Sequence, residues 1–248
     1  MISQSKKISP TESRISAPPV FVPWWKRAVD VSCCLVALPV LALATLGVAV
    51  LTRLTSPGPV FFRQERVGYR GQKFNLYKFR TMHVRAEVTS HQAHFAELVR
   101  AKVPMQKMDG RDSRLIPGGG LLRAAGLDEL PQIINILRGE MSVVGPRPCI
   151  PYEYEQYSPQ HRQRFACVPG LTGLWQVSGK NRTTFEEMVQ LDLEYSRRQS
   201  AALDLRIILL TVPTVCGQMA QVRWTKFAAR PKNLRSDVLL EPAPLARD

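Results

Sequence analysis

The main feature of the hydropathy pattern is a long apolar run near the N-terminus. From Ala28 to Leu51 the only charged residue is Asp30, and leucine, valine and alanine predominate. As an α-helix this run is about 36 Å long, which is enough for the roughly 30 Å hydrocarbon core of a bilayer. The pattern therefore predicts a helix that enters a membrane, and a buried helix of a soluble domain is the weakest alternative.

Two features of this run favour a helix that enters and leaves on the same side. Pro39 lies near its middle, where proline removes a backbone hydrogen bond and kinks a helix. Lys26 and Arg27 precede the run and Arg53 follows it, so the positive-inside rule draws both ends to the cytoplasmic face. We therefore predict a re-entrant hairpin broken at Pro39, with a single membrane span as the alternative.

Beyond Ser56 the pattern is that of a globular domain with strands and helices. Residues Val60–Val67 and Lys73–Met82 are rich in Phe, Val and Tyr and flank a glycine-containing turn at residues 68–72, which is typical of a β-hairpin. Apolar residues at positions 130, 133, 134 and 137 have the helical period. That helix is expected to begin near Asp128, because Pro131 is tolerated only in a first turn.

Three further segments are predicted to be helical. They are a polar segment at residues 84–102, the segment Thr184–Arg198, and the apolar segment Leu203–Met219, which contains Pro213 and is either a core helix or one lying at a membrane interface.

These elements predict an α/β fold in four parts. They are a disordered polar tail at residues 1–23, a membrane segment at 24–55, a small mixed α/β domain at 56–222, and a loose tail at 223–248. Apolar residues make up 45% of the chain, which is enough for one packed core.

The net charge of the chain indicates an anionic partner. The 34 Lys and Arg against 20 Asp and Glu give a net charge of +14, which suits nucleic acid, anionic lipid or a phosphorylated small substrate. The five cysteines have no metal-site spacing and no disulfide-scaffold pattern.

The adjacent carboxylates Asp128 and Glu129 are the first candidates for chemistry. At a helix start they are stabilised as anions by free N–H groups, and an acidic first turn is their purely structural interpretation. In a basic chain, however, a carboxylate can attack phosphorus or hold a Mg²⁺ ion that bridges phosphates.

Basic side chains in two motifs are candidates for binding phosphate. Arg147 lies between two stiffening prolines in Gly145-Pro146-Arg147-Pro148, and its planar guanidinium suits a phosphate group. Lys78 and Arg80 share one face of a predicted strand. A solvated turn and a solvated strand face remain the alternatives.

Taken together, these strings resemble the bacterial sugar transferase family, the monotopic phosphoglycosyl transferases that begin polysaccharide assembly. The resemblance runs from about Trp24 to Met219. The motifs that carry it are, in order, Lys26-Arg27 with Asp30, Phe62-Arg63-Gln64 through Gly68, Tyr77-Lys78-Phe79-Arg80-Thr81-Met82, Asp112-Ser113-Arg114, Leu122-Arg123, Leu127-Asp128-Glu129-Leu130-Pro131-Gln132, Gly145-Pro146-Arg147-Pro148, and Pro169-Gly170-Leu171-Thr172-Gly173 with Trp175-Gln176-Val177.

The resemblance implies a fold, a location and a reaction. The fold is a small α/β catalytic domain on a re-entrant membrane helix kinked at Pro39, with interfacial amphipathic helices, on the cytoplasmic face of the bacterial inner membrane. The reaction moves a hexose 1-phosphate from a nucleotide diphosphate sugar, usually a UDP-sugar, to polyprenol phosphate, with Mg²⁺ assistance and release of UMP. An enzyme of the type that starts exopolysaccharide synthesis is expected, and a homo-oligomer is left open.

The resemblance also implies roles for individual residues. Asp128 would be the nucleophile that forms a phosphosugar–enzyme intermediate. Glu129 would assist as a metal ligand or as a partner in proton handling, and both carboxylates are candidate Mg²⁺ ligands. The candidates for binding the nucleotide sugar are Arg147, Lys78, Arg80, Arg114, Arg123 and Gln176.

Three other functions remain as rivals. A nucleic-acid-binding protein would suit the charge, but it leaves the apolar run unexplained and no recognition motif is present. The others are a non-catalytic membrane-anchored scaffold of a polysaccharide assembly complex and a glycosyl transferase that moves the sugar without its phosphate.

Overall fold

A computed structural model describes residues 22–84, 104, 114–179 and 182–228, with the side chains of residues 218 and 221–228 left aside. Nearly all of the polar helix predicted at 84–102, most of the predicted N-terminal tail, and the residues beyond 228 lie outside these ranges. Asp112 and Ser113 of the motif Asp112-Ser113-Arg114 also lie outside them.

The N-terminal apolar run forms helix α1, Trp24–Thr55, which is continuous through Pro39. The break predicted at Pro39 is thus not confirmed. One proline removes a single backbone hydrogen bond, and the leucines and alanines around it favour helix. Within the described ranges, α1 is the one helix that is long and apolar enough to cross a membrane.

One stripe of α1 contacts the rest of the protein, and most of its surface does not. Its buried residues recur at helical spacing and are Lys26, Asp30, Cys34, Val48 and Thr52. Large apolar side chains cover the remaining surface and stay exposed, among them Leu35, Val36, Leu43, Leu46, Val50 and Leu54. Soluble monomers rarely expose a continuous apolar surface of this length, which fits contact with lipid.

The predicted β-hairpin is confirmed. Strand β1, Phe61–Val67, pairs antiparallel with strand β2, Lys73–Phe79, so that Phe61 lies opposite Phe79 and Val67 opposite Lys73. The turn contains a single 3₁₀ turn at Tyr69–Gly71, and Arg70 and Gly71 both have positive φ there.

A second, two-stranded parallel sheet is formed by β3, Ser142–Val144, and β4, Gly170–Thr172. The helices after α1 are α2, Gly119–Ala124; a 3₁₀ segment, Leu127–Gln132, that runs directly into α3, Ile133–Leu137; α4, Pro151–Gln156; a 3₁₀ segment, His161–Ala166; α5, Leu174–Val177; α6, Phe185–Arg198; and α7, Ala201–Ala228. The mixed helix and strand class is as predicted.

Three predicted helices can be compared with these bounds. The helix expected to begin near Asp128 starts with the 3₁₀ turn that contains Pro131, as proline requires. Helix α6 follows an N-cap at Thr184, whose side chain and that of Glu187 form a capping box. Helix α7 continues through Pro213 and past the boundary predicted at residue 222.

The start of α1 is held by a buried ammonium group. Lys26 Nζ donates to Asp204 Oδ2 (2.6 Å), to the carbonyl of Val144 (2.8 Å) and to the Tyr195 hydroxyl (3.0 Å), and Lys26 is 1% exposed. The Tyr195 hydroxyl lies 2.7 Å from Asp204 Oδ1. Burial and the Asp204 charge raise the pKa of Tyr195, which keeps this hydroxyl a donor. The cluster joins α1 to β3, α6 and α7.

Two more side chains at this end of α1 bind the domain. Asp30 Oδ1 accepts hydrogen bonds from the Ser142 hydroxyl and from the Val143 N–H, both 2.8 Å long. Arg27 donates to the carbonyls of the last two residues of α3, at 2.5 and 2.6 Å, and so caps the C-terminus of that helix.

We expect Lys26→Met to lower the free energy of unfolding by about 3–5 kcal/mol, because it leaves the Asp204 carboxylate buried without its cation. Urea unfolding in detergent micelles measures this loss. The matched control is Lys73→Met, since Lys73 pairs with Glu65 at the surface, where both side chains are more than half exposed. That change should cost less than about 1 kcal/mol, and equal losses in the two variants would contradict the expectation.

Candidate active site

The acidic pair lies in the first turn of the 3₁₀ segment that leads into α3. Gly126 precedes it with a φ of 67°, a left-handed conformation that favours glycine, and its carbonyl accepts from the Glu129 N–H (3.2 Å). Asp128 is 9% exposed, and the Glu129 side chain is 22% exposed. The local fold thus sets two neighbouring carboxylates at the edge of the core.

Two cations from distant parts of the chain contact Glu129. Its Oε1 lies 3.1 Å from Lys78 Nζ on β2 and 3.5 Å from Arg147 Nη1, in the loop after β3. Two residues predicted to bind phosphate, Lys78 and Arg147, therefore meet the predicted catalytic carboxylate Glu129.

Arg66 on β1 is a third cation at this site, and the sequence reasoning did not single it out. It donates to the carbonyl of Pro148 (3.3 Å) and to Gln64 Oε1 (2.7 Å). Burial and the nearby charge of Arg147 lower the pKa of Arg66 to about 10. The sequence places Arg66 on a predicted strand. Whether Arg66 approaches Arg147 depends on how the hairpin packs against the loop after β3.

Burial lowers the pKa of Lys78, and the charges of Arg147 and Arg66 lower it further. Glu129, and Asp128 more weakly, act in the opposite direction because their negative charges favour the ammonium form. Crowding of cations at one partly buried point favours the binding of an anion with several charges, such as a diphosphate.

A buried arginine, Arg164, fixes the loop that carries Arg147. Arg164 Nη2 donates to the backbone carbonyl of Arg147 (3.1 Å), and the same guanidinium contacts the Asp192 carboxylate and the Tyr157 hydroxyl (2.9 Å). The sequence signals the buried Arg164–Asp192 pair only by placing the carboxylate of Asp192 among the apolar positions of the predicted helix 184–198.

Glycines allow the same loop to touch the neighbouring strand. A Cβ on Gly170 would lie 2.0 Å from the backbone nitrogen of Gly145, and one on Gly145 would lie 2.3 Å from the carbonyl of Val168. The two glycine motifs therefore have a packing role, because no other residue allows these backbones to approach so closely.

Arg80, which was predicted to bind substrate, bonds the segment at the C-terminal end of α1. Its Nε donates to the carbonyl of Pro59 (2.7 Å), and its two terminal nitrogens contact the hydroxyl and the carbonyl of Ser56. The pairing of the hairpin reaches Arg80, whose N–H donates to the carbonyl of Val60 (2.9 Å), so the end of β2 at Phe79 does not account for these separate contacts. Arg80 thus holds the C-terminal end of α1.

The other three predicted ligands, Gln176, Arg123 and Arg114, lie on three different segments of the chain. Gln176 is buried on α5, and its amide donates to the carbonyl of Leu171 (3.1 Å). Arg123 lies on α2, which packs against the segment with the acidic pair. The carbonyl of Arg114 accepts from the N–H of His83 (2.9 Å).

Asp128 and Glu129 have the donor chemistry for a Mg²⁺ ion. Among the described residues no group of three or more His, Cys, Asp or Glu side chains is close enough to enclose a metal. Mg²⁺ is usually held by one or two carboxylates together with water and substrate phosphates, so two adjacent carboxylates beside the cations Lys78 and Arg147 fit it.

Comparison with known proteins gives one family and several relatives. The sequence profile of the family described as Bacterial sugar transferase matches residues 21–218. The exopolysaccharide production protein ExoY of Rhizobium meliloti (strain 1021) is 39% identical over 196 residues, which are 77% of this chain and 85% of that protein.

Two other relatives are longer than this chain. The UDP-glucose:undecaprenyl-phosphate glucose-1-phosphate transferase of Xanthomonas campestris pv. campestris is 42% identical over 181 residues, 70% of this chain but 35% of that protein. The galactosyl transferase CpsE of Streptococcus agalactiae serotype III is 38% identical over 193 residues, 77% of this chain and 42% of that protein. The chain thus spans less than half the length of these two.

We expect Lys78 to titrate below the roughly 10.4 of an ordinary lysine, and lower still in Glu129→Gln, because that change removes the charge that favours its ammonium form. NMR titration of ¹³C-methylated lysines measures both values. Lys78→Arg identifies the signal by its loss. An unchanged or higher pKa in Glu129→Gln would mean that the two side chains do not interact.

Proposed function

Because the chain belongs to the bacterial sugar transferase family, we propose that it transfers a hexose 1-phosphate from a UDP-sugar to polyprenol phosphate and releases UMP. The family predicted from the sequence is confirmed, and so is the prediction of an enzyme of the sugar transferase kind. The observation that carries the proposal is the contact of Lys78 and Arg147 with Glu129, directly beside Asp128.

The relatives support the chemical class of both substrates. Some of them are named as transferases of glucose 1-phosphate from UDP-glucose to undecaprenyl phosphate, and another as a UDP-galactose-lipid carrier transferase. We extend to this chain the shared part of these names, a UDP-hexose donor and a polyprenol phosphate acceptor. The exopolysaccharide relatives support a role at the first step of polysaccharide synthesis.

The proposed reaction has two displacements at phosphorus. A carboxylate oxygen of Asp128 attacks the phosphorus that bears the sugar, the bond from that phosphorus to the bridging oxygen breaks, and UMP leaves with the bond electrons. A phosphate oxygen of the polyprenol phosphate then attacks the same phosphorus and releases the Asp128 carboxylate. The product is a polyprenol diphosphate sugar, and the enzyme is restored.

The assignment of Asp128 as the nucleophile follows its match to the acidic pair of the family. Splitting the transfer into two steps allows one site to serve first a water-soluble donor and then a lipid acceptor. Glu129 has a different role in this proposal, since its carboxylate holds Lys78 and Arg147 in reach of the diphosphate.

Cationic side chains and a metal would share the task of neutralising the diphosphate. Lys78 and Arg147 would bind its non-bridging oxygens and stabilise the charge that develops on the leaving UMP. Asp128 and Glu129 are the residues that would hold Mg²⁺. When bound, this ion would supply positive charge at the bridging oxygens.

We further propose that α1 is re-entrant and that both its ends lie on the cytoplasmic face of the inner membrane. Lys26 and Asp30 at one end bind Val144 and Ser142, while at the other end Ser56 binds Arg80, which follows β2. Both sets of partners belong to the same α/β domain. A straight span would set these ends on opposite sides of the bilayer, whereas a helix that bends within it, with Pro39 as its weak point, returns both to one domain.

The reaction is tested by incubating purified protein in detergent with labelled UDP-hexoses, polyprenol phosphate and Mg²⁺. We expect UMP and a lipid-linked diphosphate sugar, and we expect Asp128→Asn to lower the rate by at least about a thousandfold, because an amide is a poor nucleophile. Glu194→Gln is the control, since Glu194 pairs with Arg198 at the surface.

Each other outcome of this assay identifies a rival. Release of UDP instead of UMP would indicate transfer of the sugar without its phosphate. No turnover with any donor, with Asp128→Asn still functional in the cell, would favour a scaffold protein. Near-normal turnover by Asp128→Asn would refute its role as the nucleophile.

The topology is tested with single cysteines placed at each end of α1 in a variant that lacks the five native cysteines. We expect a membrane-impermeant maleimide to label Trp24→Cys and Leu54→Cys only after the cell membrane is opened, because both exposed side chains would face the cytoplasm. Labelling of Trp24→Cys in intact cells would instead show a single span.

A further inference from the structure

Asn135 is a fully buried side chain between the acidic pair and the hairpin. It lies on α3, in the helical segment that begins with Asp128 and Glu129, and its exposure is 0%. Its Oδ1 accepts from the backbone N–H of Tyr77 (3.0 Å), and its Nδ2 donates to the backbone carbonyl of Asn75 (2.7 Å). Both of these backbone groups belong to β2.

The carboxamide of Asn135 takes the place of a third strand. Strand β2 pairs with β1 on one side only, so at its other edge the strand presents unpaired backbone groups. Asn135 binds one N–H and one C=O on that edge, on either side of Leu76, with the donor and acceptor that a neighbouring strand would supply. These two bonds determine how β2 lies along the helical segment.

The orientation of this amide is set by its third bond. The second N–H of Nδ2 donates to Glu140 Oε2 (2.6 Å), so both of its donors face acceptors and its oxygen faces a donor. A flipped amide would lose all three bonds. Only asparagine supplies these groups at this distance, since aspartate lacks the donors and glutamine is longer by one methylene.

We propose that Asn135 is a positioning residue that sets the contact between Lys78 and Glu129. Lys78 directly follows Tyr77, whose N–H is bound by Asn135, and Glu129 precedes Asn135 on the same helical segment. The amide therefore joins the two backbones from which the Lys78 ammonium and the Glu129 carboxylate extend to meet at 3.1 Å. The position in which Lys78 meets the diphosphate therefore depends on the hydrogen bonds of Asn135 to β2.

The inference rests on the proposed function for its effect on catalysis, but its effect on Lys78 can be measured without any substrate. In Asn135→Ala the edge of β2 is released, so the ammonium of Lys78 should no longer be held beside the carboxylate of Glu129. Nuclear Overhauser effects between ¹³C-methylated Lys78 and the Glu129 side chain, present in the wild type and lost in the variant, measure this change. The control is Asn75→Ala, because the side chain of Asn75 is exposed and only its carbonyl meets Asn135.

A double-mutant cycle tests whether Asn135 acts through Lys78. We expect Asn135→Ala to raise the KM for the UDP-sugar about tenfold in the wild-type background and less than about twofold in Lys78→Met, because the residue it positions is then already lost. Equal effects in both backgrounds, or an unchanged Lys78–Glu129 contact in Asn135→Ala, would overturn the inference.

Two further variants test the inference if Asn135→Ala does not fold. Asn135→Gln keeps every donor and acceptor but moves them, so it should raise KM in the same background-dependent way. Glu140→Gln keeps an acceptor for Nδ2 and should act like the wild type. If the wild-type protein transfers no sugar phosphate, the proposed function fails, while the measured contact between Lys78 and Glu129 still decides the role of Asn135.

Discussion

The buried ammonium of Lys26 is the point on which the arrangement of the molecule depends. It joins the long apolar helix α1 to the end of β3, to α6 and to α7 through three acceptors. The Coulombic attraction of such a pair is offset by the loss of water around both charges, so its main effect is to permit one docking of these elements and penalise all others. The loop with Arg147 begins directly after Val144, one of these acceptors. The attachment of α1 and the position of Arg147 thus depend on the same buried contact.

The positive charge of the chain is divided between two tasks. Some cations are structural: Lys26 and Arg80 bind the two ends of α1, and Arg164 binds the backbone carbonyl of Arg147. Others, Lys78, Arg66 and Arg147, converge near Glu129 and leave an excess of positive charge there. A net charge of +14 therefore reflects internal anchors as well as surfaces that meet anions.

Features that depend on neighbouring residues could be predicted well. The hairpin, the start of the helical segment at Asp128 and the capping box at Thr184 follow from alternation, proline placement and hydrogen bonds over three residues. Features that depend on distant partners could not. By alternation Arg80 is equivalent to Lys78, yet Arg80 bonds Pro59 and Ser56 while Lys78 contacts Glu129. Asn135 looked like a polar residue in an amphipathic helix, because a side chain that satisfies a strand edge leaves no local pattern.

The sequence by itself determined the family, the apolar helix and the order of the motifs with their chemical types, because these are properties of composition and spacing. Only the tertiary structure decided which cations meet Glu129 and which are used as anchors, because that choice depends on where chain segments far apart in sequence pack together. It also decided that both ends of α1 contact one domain. A hydrogen bond between side chains more than a hundred residues apart, such as that of Asp30 to Ser142, has no signature in either local sequence.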